Sequence, residues 1–256
     1  SDEDVYFAPT AEPTTIRIVL INALKHGWSI TQSDVNTAFL QARPYPRTTR
    51  KFIRLPDGSK VRLNKPLYGL YDAPLRWYET YTGCLVNLGF KRTEVDPCWY
   101  TFKQEDLTIH HVIHVDDTIT SMSDDRGLEI TKLIQQRFRV SKEAPPDRFL
   151  GANYCGNIMT MNDYIDKIMD IHGMKNARSA FAPSSGAKLY KTTRTLNMEE
   201  RSKVDAFKYR TKVGQILWLA ITCRPDLMAV ASDLARHSTN PDWTHCTAVL
   251  HALRYV

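Results

Sequence analysis

The 256-residue chain predicts an α+β fold with a helical C-terminal part, on three observations. Runs rich in β-formers occupy residues 98–102, 108–115, 118–122 and 149–154. Helical spacing recurs before and between them, then dominates after residue 160. No internal repeat or low-complexity tract suggests a solenoid or a disordered chain. The composition, 43% hydrophobic and 24% charged, is that of a chain able to bury a sizeable core as one large domain or several subdomains.

The elements follow in order. Residues 15–26 carry Ile16, Leu20, Ala23 and Leu24 at helical spacing, with a stop at Gly27. Residues 28–40 read as an extended segment that holds Asp34. Residues 43–64 are polar and punctuated, with a hairpin-like turn at Pro56-Asp57-Gly58. Asp72 is placed to N-cap a helix over 73–88 whose first turn tolerates Pro74. On that helix Trp77, Tyr78, Tyr81, Leu85 and Leu88 share a face, and Gly89 ends it. Residues 124–138 predict another helix, 149–154 a short strand, and 164–172, 204–222 and 242–255 three further helices. Residues 183–197 read as an exposed linker.

The formal charge is +6, compatible with a polyanionic partner. The excess concentrates over 43–65, where Arg43, Arg47, Arg50, Lys51, Arg54, Lys60, Arg62 and Lys65 surround Tyr45 and Phe52. That pattern suits either a surface tracking nucleic-acid phosphates or a solvated basic loop. No apolar run approaches the roughly 20 residues of a membrane span, and the acidic start is not that of a signal peptide. Cys84, Cys98, Cys155, Cys223 and Cys246 lack CxxC spacing and read as reduced, mostly buried thiols of an intracellular protein. Among His110, His111 and His114, strand alternation sends His111 to the opposite face, so they do not form a ligand set.

The dipeptide Asp116-Asp117 lies between two β-rich runs, and a further carboxylate, Asp34, opens Asp34-Val35-Asn36-Thr37-Ala38-Phe39-Leu40. Adjacent carboxylates on a tight turn, with a third at the edge of another strand, suit a phosphoryl-transfer site holding two divalent ions roughly 3.5–4 Å apart. Hard magnesium ions favour such oxygens together with substrate phosphates. An Asp-Asp pair is equally at home in an ordinary hairpin turn, which is the simpler account of the pair alone.

Further segments bear on that choice. Phe7-Ala8-Pro9 and Thr14-Thr15-Ile16-Arg17 precede the Asp34 motif; Leu67-Tyr68-Gly69-Leu70-Tyr71-Asp72-Ala73-Pro74-Leu75-Arg76-Trp77-Tyr78 follows it. Then come Gly89-Phe90-Lys91-Arg92, Asp96-Pro97-Cys98, His114-Val115-Asp116-Asp117, Phe149-Leu150-Gly151, Tyr209-Arg210, Val213-Gly214, Thr222-Cys223-Arg224-Pro225-Asp226 and Leu253-Arg254-Tyr255. In this order, over nearly the whole chain, they resemble the reverse transcriptase of copia-type LTR retrotransposons.

The resemblance implies a right-hand polymerase fold: an antiparallel palm sheet with helices, partial fingers and a helical thumb. Residues 1–41 would begin the palm, 42–72 belong to the fingers, 73–160 complete the palm with catalytic hairpin and primer grip, and 161–256 form the thumb or connection. It implies RNA- or DNA-templated DNA synthesis from a DNA primer and deoxynucleoside triphosphates, without a membrane, inside a retrotransposon particle in the cytoplasm. Asp34, Asp116 and Asp117 would be catalytic and hold two magnesium ions, with manganese as the alternative. Phe39 would be the steric gate against a ribose 2′-hydroxyl. Tyr68, Gly69 and Pro74 would shape the nucleotide pocket, and His114, Phe149, Leu150 and Gly151 would contact the primer.

The sequence departs from the family pattern at several points. By the resemblance, the chain would begin past the family's basic fingers strands and end before a ribonuclease H domain. His114 stands for the usual Tyr, Tyr71-Asp72 for Lys-Gln, and Glu12 for Lys. The last two changes put negative charge where a triphosphate is expected. The alternative is therefore a catalytically degenerate or co-opted relative that binds nucleic acid or protein.

Overall fold

The computed structural model describes residues 6–141 and 143–256, so the acidic start lies outside the described residues. The chain divides into two units, Ser1–Pro146 and Asp147–Val256.

In the first unit, α1 (Pro13–His26) and β1 (Ser29–Asp34) are followed by the short α2 (Ala38–Gln41). A hairpin of β2 (Phe52–Arg54) and β3 (Lys60–Arg62) leads to α3 (Ala73–Asn87). Then come β4 (Lys91–Arg92), β5 (Trp99–Gln104), β6 (Leu107–His114), β7 (Asp117–Met122) and α4 (Gly127–Arg137). Five strands form one antiparallel sheet in the order β1-β7-β6-β5-β4. One sheet face supplies Tyr100, Phe102, Ile109, Ile113 and Met122 to a core shared with Trp77, Tyr81 and Leu85 of α3 and Ile134 of α4. Period-2 alternation turns Val112 and Ile119 to the other face, where α1 packs on β1, β6 and β7. Gly127 is needed where α4 meets the sheet, because a Cβ there would lie 3.0 Å from the Met122 side chain.

Alternation separates the histidines as expected. His111 is 2% exposed, with its ring nitrogens on Tyr81 Oη (3.1 Å) and Thr120 Oγ1 (2.8 Å), and burial pushes its pKa down to about 4. His110 stacks on Trp28 from the opposite face.

The second unit contains a three-stranded sheet, β8 (Arg148–Phe149), β9 (Ala152–Cys155) and β10 (Ile158–Thr160), then α5 (Asn162–Ile171). Helices α6 (Met198–Phe207), α7 (Tyr209–Thr222), α8 (Met228–Ala235) and α9 (Trp243–Tyr255) complete it. Its separate core includes Ile168, Val204, Ile216, Leu219, Leu234 and Val249.

Several expectations need correction. The extended segment ends at Asp34: Thr37 takes a left-handed φ of 52°, and the apolar run after it coils into α2, an ambiguity that periodicity alone does not resolve. Asp72 makes no capping hydrogen bond. The 149–154 strand is a hairpin, β8–β9, turning at Leu150 (φ 48°) and Gly151 (φ 80°). The single helix over 204–222 is two, broken at Lys208 (φ 55°) so that both pack on α9. The sequence hides this break, since Lys is not a usual left-handed residue. Helix α8 lies outside the helices expected from residue spacing. Residues 183–197 are largely exposed yet tethered: Thr192 Oγ1 donates to Asp242 (2.8 Å), and His245 Nε2 donates to the Tyr190 carbonyl (3.0 Å). All five cysteines are free thiols, but only Cys98 and Cys246 are buried, and Cys155 is exposed.

Candidate active site

Strand register brings the acidic residues together. Asp34, the last residue of β1, lies directly opposite Asp117, the first residue of β7. Cross-strand neighbours of this kind have Cβ atoms about 4.5–5.5 Å apart, and like charges there repel. His114 also pairs with Asp117, so the β6–β7 turn is the two residues Val115 and Asp116. Asp116 alone stands at the tip, and Asp117 begins the strand, a refinement of the expected Asp-Asp tip.

The tip is held from two sides. The Val35 amide donates to the Asp116 carbonyl (2.8 Å), tying the end of β1 to the turn. Trp77 Nε1 of α3 donates to the Val115 carbonyl (2.7 Å). Val115 itself takes φ 61°, a left-handed conformation costly for a β-branched residue. Asp34 is pinned by Ser141, whose amide donates to the Asp34 carbonyl (2.8 Å) and whose Oγ accepts the Asp34 amide (2.8 Å). Trp77 was legible only as a core residue, and Val35 and Ser141 carried no signal as anchors.

The electrostatics follow from this crowding. Burial and then the charges of Asp116 and Asp34 push the Asp117 carboxyl up to about 6. Burial and the Asp116 charge raise Asp34. None of the three carboxylates forms an ion pair among the described residues. Nor do the described residues contain a close-set group of three or more His, Cys, Asp or Glu side chains able to cage an ion alone.

Phe39 and Tyr68 stand beside the acids. Their ring centroids are 4.7 Å apart, and Tyr68 is 56% exposed. Burial raises the Tyr68 phenol, and so do the charges of Asp116 and Asp34, which places it in their field. Gly69 follows with φ 90°, a conformation suited to glycine. Pro74, in the first turn of α3, lines a small apolar cavity of about 70 Å³ with Trp77, Tyr81 and Val115. His114 is half-buried; burial lowers its pKa despite the Ala11 backbone and the Asp116 charge. Phe149, Leu150 and Gly151 lie in the second unit, with Phe149 buried at 1% exposure and the other two at the β8–β9 turn.

Asp72 is not a free negative charge. It is 4% exposed and accepts from Lys51 (2.7 Å), Arg76 (3.0 Å) and the Tyr45 hydroxyl (3.0 Å). Burial raises its carboxyl, but these three partners outweigh it and the net shift is downward. The charge reversal read at this position is therefore neutralised locally. Glu12 remains exposed at the N-terminus of α1.

A β-hairpin that presents a carboxylate at its tip and a second at the start of β7, opposite a third on β1, defines a site suited to attract cations. The chain belongs to the reverse transcriptase (RNA-dependent DNA polymerase) family, whose model matches residues 1–185. Within it, the similarity is to copia-type transposon proteins. The chain is 29% identical to a retrovirus-related Pol polyprotein from transposon TNT 1-94 of Nicotiana tabacum, over 100% of this chain and 20% of that protein. It is 30% identical to the corresponding polyprotein from transposon RE1 of Arabidopsis thaliana, over 98% of this chain and 17% of that protein. A putative transposon Ty5-1 protein of Saccharomyces cerevisiae is 29% identical over 87% of this chain and 74% of its own length. The chain thus spans about a fifth of the two plant polyproteins. No helix among the described residues is long and apolar enough to cross a membrane.

Proposed function

We propose that this chain is a polymerase domain that copies RNA or DNA into DNA by metal-dependent nucleotidyl transfer. The observation that carries this reading is the register that sets Asp34 against Asp117, with Asp116 tethered beside them through Val35. Three carboxylates without a cation partner among the described residues, two of them with raised pKa, suit divalent ions. Magnesium is commonly held by one or two carboxylates, with substrate phosphates completing its shell, so a protein cage is not required. Asp34, Asp116 and Asp117 would hold the two ions, magnesium or manganese. Bound there, the ions would activate a primer 3′-hydroxyl and stabilise the departing pyrophosphate.

The chain's own residues do the positioning. Phe39, steadied by Tyr68, would stand where a ribose 2′-hydroxyl collides with its ring. Gly69 and Pro74 would shape the floor under the incoming deoxynucleoside triphosphate. His114, and Phe149, Leu150 and Gly151 of the second unit, would hold the primer end. In this reading the five-stranded sheet is the palm, residues 42–72 are part of the fingers, and the later helices form a thumb that grips the RNA–DNA duplex through its backbone. The setting would be a cytoplasmic retrotransposon particle.

Among the departures that favour a silent binding module, the Lys51–Asp72–Arg76 network neutralises the charge change at Asp72, while Glu12 stays exposed. The test is primer extension on an RNA template with magnesium and deoxynucleotides, beside Asp116→Asn. Extension should fall to background in the variant while its melting temperature stays at or above wild type. Extension that survives the substitution would sink the carboxylate assignment. No extension by wild type, with duplex binding intact, would favour the binding module.

A further inference from the structure

Behind the short helix α2 lie two adjoining cavities that the carboxylate site does not use. One, of about 470 Å³, is lined by Thr37, Leu40 and Gln41 of the α2 segment, but not by Phe39. It also receives Arg43, Lys65, Arg137 and Arg139, and no carboxylate. None of these four cations is in an ion pair among the described residues. The second cavity, of about 420 Å³, shares Arg43, Thr80 and Arg137 with the first. Its remaining walls are of different chemistry: Cys84, Leu88 and Leu133, with the amides of Asn87 and Gln136.

The backbone at the cationic end is anchored, and its four cationic residues are exposed. The Arg43 amide donates to Thr80 Oγ1 (3.0 Å), and its guanidinium lies over Gly83, with Nη2 3.4 Å from where a Cβ would sit. Lys65 Nζ donates to the Leu40 carbonyl (3.1 Å). The Gln41 amide staples α2 to Arg139, donating to the Arg139 carbonyl (3.2 Å) and accepting its N–H (2.7 Å). Arginines that line one polar cleft without an ion-pair partner among the described residues match phosphate oxygens, which guanidinium groups bind bidentately, although the Arg137 guanidinium also lies 6.0 Å from the Phe138 ring centroid. Leucine walls with two side-chain amides match a nucleobase, with an apolar face and a hydrogen-bonding edge. Each cavity is within the roughly 300–1,000 Å³ of small-ligand sites.

We propose that these cavities form a second nucleotide site, separate from the carboxylates. It takes the polyphosphate of a nucleoside di- or triphosphate on Arg43, Lys65, Arg137 and Arg139, and its base between Leu88, Leu133, Asn87 and Gln136. The proposal is independent of the polymerase reading.

The test is ATP binding by calorimetry in EDTA, which removes the metal that the carboxylate site would need. Wild type and Asp116→Asn should bind ATP alike. Arg43→Glu and Arg137→Glu should each weaken binding at least tenfold, and the milder Arg43→Gln less so, with unchanged melting temperatures. Leu133→Trp, which fills the second cavity, should weaken ATP binding but leave inorganic triphosphate bound. ATP binding indifferent to both Glu variants, or none by the folded protein at millimolar ATP, overturns the proposal. So does Leu133→Trp with undiminished ATP affinity, which would leave a phosphate site without base recognition. A single-stranded oligonucleotide that displaces ATP at lower concentration would make the cavities a nucleic-acid groove and overturn it as well.

Discussion

At the scale of single residues, the site is a problem in crowded charge. Asp117 has a folded pKa of about 6 against an ordinary 3.8. A raised carboxyl binds its proton more tightly in the folded state, so its contribution to stability falls as pH rises from 3.8 to about 6. Asp117→Asn removes that dependence. The variant should gain melting temperature over wild type across that interval, reach a constant excess of a few degrees above it, and lose much of the excess when magnesium is added. At this chain length each kcal/mol corresponds to roughly 2–4 °C. An excess that does not grow from pH 4 to 6 would mean that Asp117 holds its charge without cost. Phe39 makes a different prediction. Trimming its ring in Phe39→Val leaves α2 and the carboxylates in place, so ribonucleotide incorporation relative to deoxynucleotide should rise about tenfold or more, equivalent to about 1.4 kcal/mol of lost discrimination. Single-nucleotide kinetics with both sugars would check it; an unchanged ratio would make Phe39 only the packing partner of Tyr68.

At the scale of elements, the β6–β7 turn depends on what it leans against. Its two tip carbonyls are taken by Val35 and by Trp77, which belong to β1's end and to α3. Trp77 is also core, with ring centroids 5.2 Å from those of Tyr81 and Phe138. Trp77→Phe keeps an aromatic ring there but leaves the Val115 carbonyl without its donor, at a cost of about 1–3 kcal/mol. Turnover should fall more than that destabilisation explains, because the left-handed Val115 then has one fewer restraint at the carboxylates. Comparing kcat with the urea midpoint would separate the two, and parallel losses would reduce Trp77 to packing. The elements also show where local pattern misleads. Asp72 stands where an N-cap stands, but Lys51 from near β2 and Arg76 one turn along α3 compete for its carboxylate and win. The β8–β9 turn and the break at Lys208 are both left-handed bends, which a strand or helix period read through short windows passes over.

At the scale of the whole molecule, the charge of +6 and the basic segment between Arg43 and Lys65 give an ionic-strength prediction. If duplex is held through phosphates, its affinity should fall at least about tenfold between 50 and 200 mM salt, with similar loss for unrelated sequences. A flat salt response in a filter-binding or anisotropy titration would point away from a backbone grip. Much of the architecture was legible in the chain itself. Helix α1 with its Gly27 stop, α3 with its buried Trp77-Tyr81-Leu85 face, the β2–β3 turn and the alternating strands β5 to β7 follow from residue period and turn chemistry, which act over a few neighbours. So were the acidic residues as candidates, since their chemistry is written in their side chains. What the sequence did not hold was pairing: that Asp34 faces Asp117, that Val35 and Trp77 grip the turn, that Asp72 is neutralised from Lys51, and that Arg43 and Arg137 share a cavity. Each joins residues far apart in the chain, and only the closing of the sheet against its helices decides which distant groups become neighbours.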